Sequence, residues 1–126
     1  MWGVRTGVGA VGSILLVVGL LLTALAQGKG DPKAGEAAYR KADCADCHGA
    51  AGAGDGAKGQ KLKDKKPSNW TAGGGGGLKG MDDQAIFAAI AEGGKAVGKS
   101  KGMPAYPKLS DAEVWNLVAF VRTLGK

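Results

Sequence analysis

Two cysteines and the only histidine of this chain fall together as Cys44-Ala45-Asp46-Cys47-His48. At this spacing the two thiols share one turn of chain, so both can reach the vinyl groups of a single porphyrin as thioethers. The histidine directly after the second cysteine then projects towards the iron as an axial ligand. The pattern predicts one covalently bound haem c, attached at Cys44 and Cys47, with His48 on the metal. Three other chemistries draw on the same residue types. A redox-active dithiol needs a strand–helix setting and usually lacks the histidine. Structural zinc needs four ligands, and two Cys and one His fall short of that count. A plain disulfide would suit an oxidising compartment.

His48 being the only histidine, ligation of one iron by two histidines of the same molecule is excluded. The sixth position falls to Met, Lys, a backbone or terminal amine, water, or nothing. Beyond the N-terminal segment the methionines are Met81 and Met103. Met103 lies in Gly102-Met103-Pro104, where the proline turns its backbone away from helix towards an extended form. It also lies far enough along the chain from His48 to pass round a haem to the opposite face. Met81 stands directly before a helix cap and is the weaker choice. A methionine is ordinarily core filler, but a covalent haem calls for a distal ligand, and Met103 is the expected one.

Three segments have the pattern of helices able to position these groups. The first spans about Asp31 to Ala42, with Asp31 as N-cap and Pro32 at the first helical position. Ala34, Ala37, Ala38 and Tyr39 give it a slim apolar side. The second spans about Asp82 to Glu92, capped by Asp82, with Ile86, Phe87 and Ile90 at helical spacing, and Gly93-Gly94 stops it. The third spans about Asp111 to Leu124. Ser110 and Glu113 form its capping box, and Val114, Leu117, Val118 and Val121 form its buried stripe. The remainder reads as loop, including the Gly- and Ala-rich run Ala45 to Gly59 and the pentaglycine Gly73 to Gly77. No segment alternates with period two, so no sheet is expected. Such long loops in so small a domain need something to pack against, and a haem would serve.

Residues 6–28 carry no charge. Arg5 precedes this run, and Ala24-Leu25-Ala26 closes it with the small-x-small pattern of a signal-peptidase site. Residues 1–26 therefore read as a signal peptide, leaving residues 27–126 as one small domain. The run also exceeds the ~20 residues needed to span a bilayer. An uncleaved anchor through residues 8–26 is the alternative. Either way the domain lies in the periplasm or another extracytoplasmic space. The formal net charge is +6. Lys58, Lys61, Lys63, Lys65 and Lys66 form one basic cluster, and Lys95, Lys99, Lys101 and Lys108 another. A solvated surface is the ordinary meaning of such runs; the sharper one is a docking face for acidic redox proteins. The lysines lack interleaved aromatics and arginines and the compartment is wrong, so nucleic acid is not an expected partner.

Several stretches carry a family likeness: Gly35 and Tyr39 ahead of CADCHG, AGAGDG at 51–56, Pro67 to Trp70, and MPAYPKLSDAEVWNLVAFVRTL at 103–124. In these the chain resembles the class I (monohaem) cytochromes c over nearly all of residues 27–126. The resemblance implies an all-α, cytochrome c-like fold of three main helices and long loops around one covalently bound haem. It implies that the first and last helices cross at Gly35 and Tyr39, against a face including Val118, Val121 or their neighbours. It gives Pro67 as the residue whose carbonyl accepts the free N–H of His48. It gives Trp70 as donor to a haem propionate, with simple packing as the other reading. The pentaglycine matches no motif of the family. The function implied is a non-enzymatic single-electron carrier, shuttling between respiratory or photosynthetic redox partners. The alternatives are a cytochrome c subunit of a periplasmic dehydrogenase or sulfur-oxidising complex, and a ligand-binding or peroxidase-like haem.

Overall fold

The computed structural model describes residues 30–71 and 76–126. The leader and most of the pentaglycine lie outside them. Five α-helices follow in order: α1 (Pro32–Lys41), α2 (Cys44–His48), α3 (Ala57–Gln60), α4 (Asp83–Glu92) and α5 (Asp111–Leu124), with a 3-10 turn at Gly94–Val97. There is no strand among the described residues, and the fold is all-α as expected.

The long helices start where the sequence places their caps. The Asp31 carboxylate accepts from the Lys33 N–H at 2.9 Å, and Pro32 occupies the first turn. The Asp82 carboxylate accepts from the Ala85 N–H at 2.7 Å. At α5 the capping box is complete: the Glu113 N–H donates to the Ser110 hydroxyl at 3.3 Å, and the Ser110 N–H to the Glu113 carboxylate at 2.8 Å. Two of the orphan donors at the helix start are thereby satisfied.

α1 packs across α5, and Gly35 makes the crossing possible. A Cβ there would collide with the Asn116 carbonyl and the Phe120 side chain. Beside it the Tyr39 ring tilts against Phe120, with centroids 5.2 Å apart at 60°, an edge-to-face arrangement. The Asn116 side chain accepts from the Asp31 N–H at 2.7 Å and fixes the same crossing from its other end. The buried residues of α1 are Gly35 and Tyr39, while Ala37 is exposed. The apolar side of this helix is therefore narrower than its alanines suggested.

All of Val114, Leu117, Val118 and Val121 are buried, joined by Phe120 from α5, Ile86 and Ile90 from α4, and Tyr39 from α1. Phe87 is only half-buried and packs on Trp115 instead, with ring centroids 4.8 Å apart. Arg122 ties the C-terminal part of α5 to the start of α4. Its guanidinium donates to the Asp83 carboxylate at 2.7 Å and to the Met81 carbonyl at 2.6 Å.

The run Ala45 to Gly59 departs from its loop expectation, since it contains the end of α2 and most of α3. Helices of four or five residues are too short to show a periodic apolar face. Asp43, the only described non-glycine residue with positive φ (56°), breaks the chain between α1 and α2.

Candidate haem site

α2 is the single turn that the cysteine spacing calls for, and it carries Cys44 and Cys47 as free thiols with His48 at its C-terminal end. Its frame is built from backbone contacts. The Gly49 N–H donates to the Ala45 carbonyl at 2.8 Å, and the Gly54 N–H to the His48 carbonyl at 2.8 Å. α3 then closes against the turn at Gly56, where a Cβ would collide with the Asp46 and Cys47 backbone. Only glycine allows so near an approach. An ion pair between Lys58 and Asp46 at 2.5 Å spans the same contact on the exposed side.

Tyr39 links this turn to the α1–α5 crossing. Its buried hydroxyl donates to the Gly49 carbonyl at 2.7 Å, one residue beyond His48. Burial, and then the neighbouring Cys44, hold the phenol well above its ordinary range, so it remains a donor. Burial pushes the Cys44 thiol up to about 11 and takes His48 down to about 4. At neutral pH the imidazole is therefore uncharged, with a lone pair available to a metal.

Cys44, Cys47 and His48 border a cavity of about 300 Å³, within the size range of small-molecule sites, ~300–1,000 Å³. Ile86 and Ile90 of α4 and Leu117 and Val121 of α5 give it an apolar lining, to which Tyr106 and Leu109 add. This setting fits a haem: two thiols and an uncharged imidazole on one turn, facing an apolar space that reaches the centre of the core. Among the described residues there is no cluster of three or more His, Cys, Asp or Glu side chains able to hold a metal ion by itself.

All six residues expected from the sequence to hold the haem border this one cavity: Cys44, Cys47, His48, Pro67, Trp70 and Met103. Met81 borders it too, so the structure brings both methionines to the site. Met103 is fixed by its backbone, its carbonyl accepting from the Gly94 N–H at 3.0 Å and its N–H donating to the Ser100 carbonyl at 3.3 Å. His48 Nδ1 is buried without a hydrogen-bond partner. The Pro67 carbonyl oxygen lies beside Gly54 and makes no bond to His48 here. The Trp70 indole stacks on the His48 ring, with centroids 4.2 Å apart at 25°.

Sequence reasoning missed three features of the site. The Tyr39 hydroxyl bond to Gly49 is one; a tyrosine placed just ahead of a CxxCH turn was its only signal. The Trp70–His48 stack left no signal, because the two residues are far apart in sequence. The third is that Lys65, Lys66 and Lys99, from the two basic clusters, border the same cavity.

Among known proteins, the family model described as "Cytochrome C oxidase, cbb3-type, subunit III" matches residues 30–121. Searches of curated proteins and of solved structures found no significant match. The family match begins just ahead of α1, ends within α5 and takes in the whole cavity between them. On that span the chain belongs to this family, and it is a monohaem c-type cytochrome, a carrier of electrons on haem c.

Proposed function

We propose that the protein is a single-electron shuttle between respiratory or photosynthetic redox partners. One haem c is attached at Cys44 and Cys47, with His48 and Met103 as axial ligands. One observation carries this reading: the CxxCH turn and both described methionines, Met81 and Met103, border the same apolar cavity in the core, and of the two Met103 has its backbone held out of helix by Pro104. When bound, the haem supplies an iron that alternates between ferric and ferrous states. The chain's own part is to hold and tune. The neutral imidazole of His48 and the thioether of Met103 would donate without adding charge, and Ile86, Ile90, Leu117 and Val121 exclude water. An apolar shell and a neutral sulfur ligand both favour the less charged ferrous state and raise the potential. No general acid, base or nucleophile is required.

We place the domain outside the cytoplasm, released by cleavage after Ala26. Among the described residues no helix is long and apolar enough to cross a membrane. N-terminal sequencing of the native protein should begin at Gln27. A native chain that retains Leu15 to Leu22 and sediments with membranes would establish an uncleaved anchor instead.

The lysines supply the docking chemistry. A hydrogen bond from the Ser100 hydroxyl to the Asp64 carboxylate at 3.3 Å joins the two basic loops, and Gly102 lies against Leu62. Lys65, Lys66 and Lys99 are thus gathered at the rim of one cavity, and none of them forms an ion pair among the described residues. An acidic partner surface would be drawn to the side where electrons enter and leave. Stopped-flow electron exchange with an acidic redox partner should slow by roughly tenfold or more from low to high salt, as screening cuts off steering. A rate indifferent to salt would reduce these lysines to solubility residues.

The family's description, an oxidase subunit, supports a second reading in which the domain serves inside a larger redox assembly. A haem-stained native gel separates the two. A shuttle migrates alone, and a subunit co-migrates with its complex.

A further inference from the structure

His48 and Trp70 reach each other from separate segments, and both are anchored to the same glycine-rich loop. The Gly54 N–H donates to the His48 carbonyl at 2.8 Å, and the Trp70 N–H donates to the Gly52 carbonyl at 2.7 Å. The indole edge closes on Gly52, and the Trp70 carbonyl lies beside Gly125 just past α5. On either side of Trp70 the chain is also tied down. The Thr71 N–H and hydroxyl donate to the Asn69 side chain at 2.9 and 2.7 Å, and the Gly77 N–H donates to the Asn69 carbonyl at 3.1 Å. The indole is therefore a fixed plane, and the imidazole lies on it at 25°.

A histidine ligand is ordinarily oriented by a hydrogen bond from its second ring nitrogen to a carboxylate or carbonyl. His48 Nδ1 has no such partner, although it is buried. The stack is a contact that restrains rotation of the ring about its own axis. We infer that Trp70 is a positioning residue for His48, and that its indole face sets the plane of the axial imidazole. The inference rests on His48 being an iron ligand. It assigns the indole face of Trp70 to the ligand. The orientation of the imidazole plane decides which iron d orbital overlaps the ligand π system, and so how unpaired spin spreads over the porphyrin in the ferric state.

The test uses purified ferric holoprotein and a graded series, Trp70→Phe, Trp70→Tyr and Trp70→Leu. Proton NMR shifts of the four haem methyl groups and the EPR g-values report the orientation of both axial ligands, so with Met103 unchanged across the series their differences follow the imidazole plane. The expected result is a changed order or spread of the methyl shifts and changed g-anisotropy in Trp70→Leu, with Phe and Tyr in between. If the leucine variant fails to mature, the two aromatic variants still differ from wild type in ring size and carry the comparison. Methyl shifts and g-values identical to wild type across the series would overturn the inference. If the pH dependence of the potential changed while those spectra did not, the indole would belong to a propionate; a lowered unfolding midpoint alone would make it packing. A wild-type protein without covalent haem would remove the reading beneath the inference, and the inference with it. Unchanged spectra in a haem-loaded series remove the inference only.

Discussion

A Cys44→Ala, Cys47→Ala double variant should lose all haem that survives acid–acetone extraction and denaturing gels. Both thiols lie on the one turn of α2, and the chain has no other cysteine, so nothing else can form the thioethers. Each single variant should retain one attachment at most, with lower yield. The effect should extend to folding, because the cavity between α2, α4 and α5 is continuous with the core. Without haem the apolar side chains of Ile86, Ile90, Leu117 and Val121 that line it lose the group they pack against, and the whole stability of a small domain is only ~5–15 kcal/mol. The double variant should therefore show reduced helicity by circular dichroism and no cooperative melt, while wild type melts cooperatively. Purified exported wild-type protein holding zinc or a bare dithiol, and no haem, would contradict the whole reading.

The parts of the fold legible in the sequence are those governed by local rules. Asp31, Asp82 and Ser110 cap helices because a short oxygen-bearing side chain satisfies free N–H groups wherever the following residues can turn, and no distant contact is needed. The α5 stripe is legible for a similar reason: fourteen residues are enough for a 3.6-residue period to stand out. α3 is not, since four residues show no period and its place is set where Gly56 and Gly59 approach the Asp46 and Cys47 backbone. Such contacts are tertiary and leave no local pattern.

The site divides along the same line. The CxxCH turn is encoded in five adjacent residues and is legible without any distant contact. Its surroundings are assembled from remote pieces, and there the sequence was less informative. Gly35 and Tyr39 were placed correctly at the crossing of the first and last helices, yet nothing local revealed that the Tyr39 hydroxyl continues on to Gly49. Pro67 and Trp70 do border the cavity, but their roles depend on where a carbonyl and an indole point. That is a matter of loop geometry between residues 61 and 71, which composition does not specify. The two lysine clusters read as separate runs, and only the Asp64–Ser100 and Leu62–Gly102 contacts bring them to one rim.

Met103→Ala should convert a closed, low-spin haem protein into an open one. Two methionines border the cavity, so the distinction between them rests on where each is held. Met81 is tied to α5 by the Arg122 guanidinium and lies just before the N-cap of α4. Met103 is tied to Gly94, just past the other end of that helix. α4 has ten residues, so at 1.5 Å per residue the two anchor points lie about 15 Å apart along its axis. One thioether can serve the iron, and the other is left as core packing. Pro104 keeps the Met103 backbone out of helix, and the Tyr106 N–H, donating to the Ile90 carbonyl at 3.1 Å, fixes the loop just beyond. Wild-type ferric protein should show the weak red charge-transfer band of iron–sulfur ligation. Met103→Ala should abolish it and lower the potential by a sizeable fraction of the ~0.8 V that axial ligation spans. It should also admit cyanide to the ferric form and carbon monoxide to the ferrous form. Met81→Ala should keep the band, the potential and the closed iron, and lose only stability, roughly 2–5 kcal/mol for a buried methionine truncated to alanine and less for one half-exposed. The opposite pattern would move the ligand to Met81. Wild-type protein that is already high-spin and binds carbon monoxide freely would remove the shuttle assignment altogether, in favour of a haem that acts on ligands.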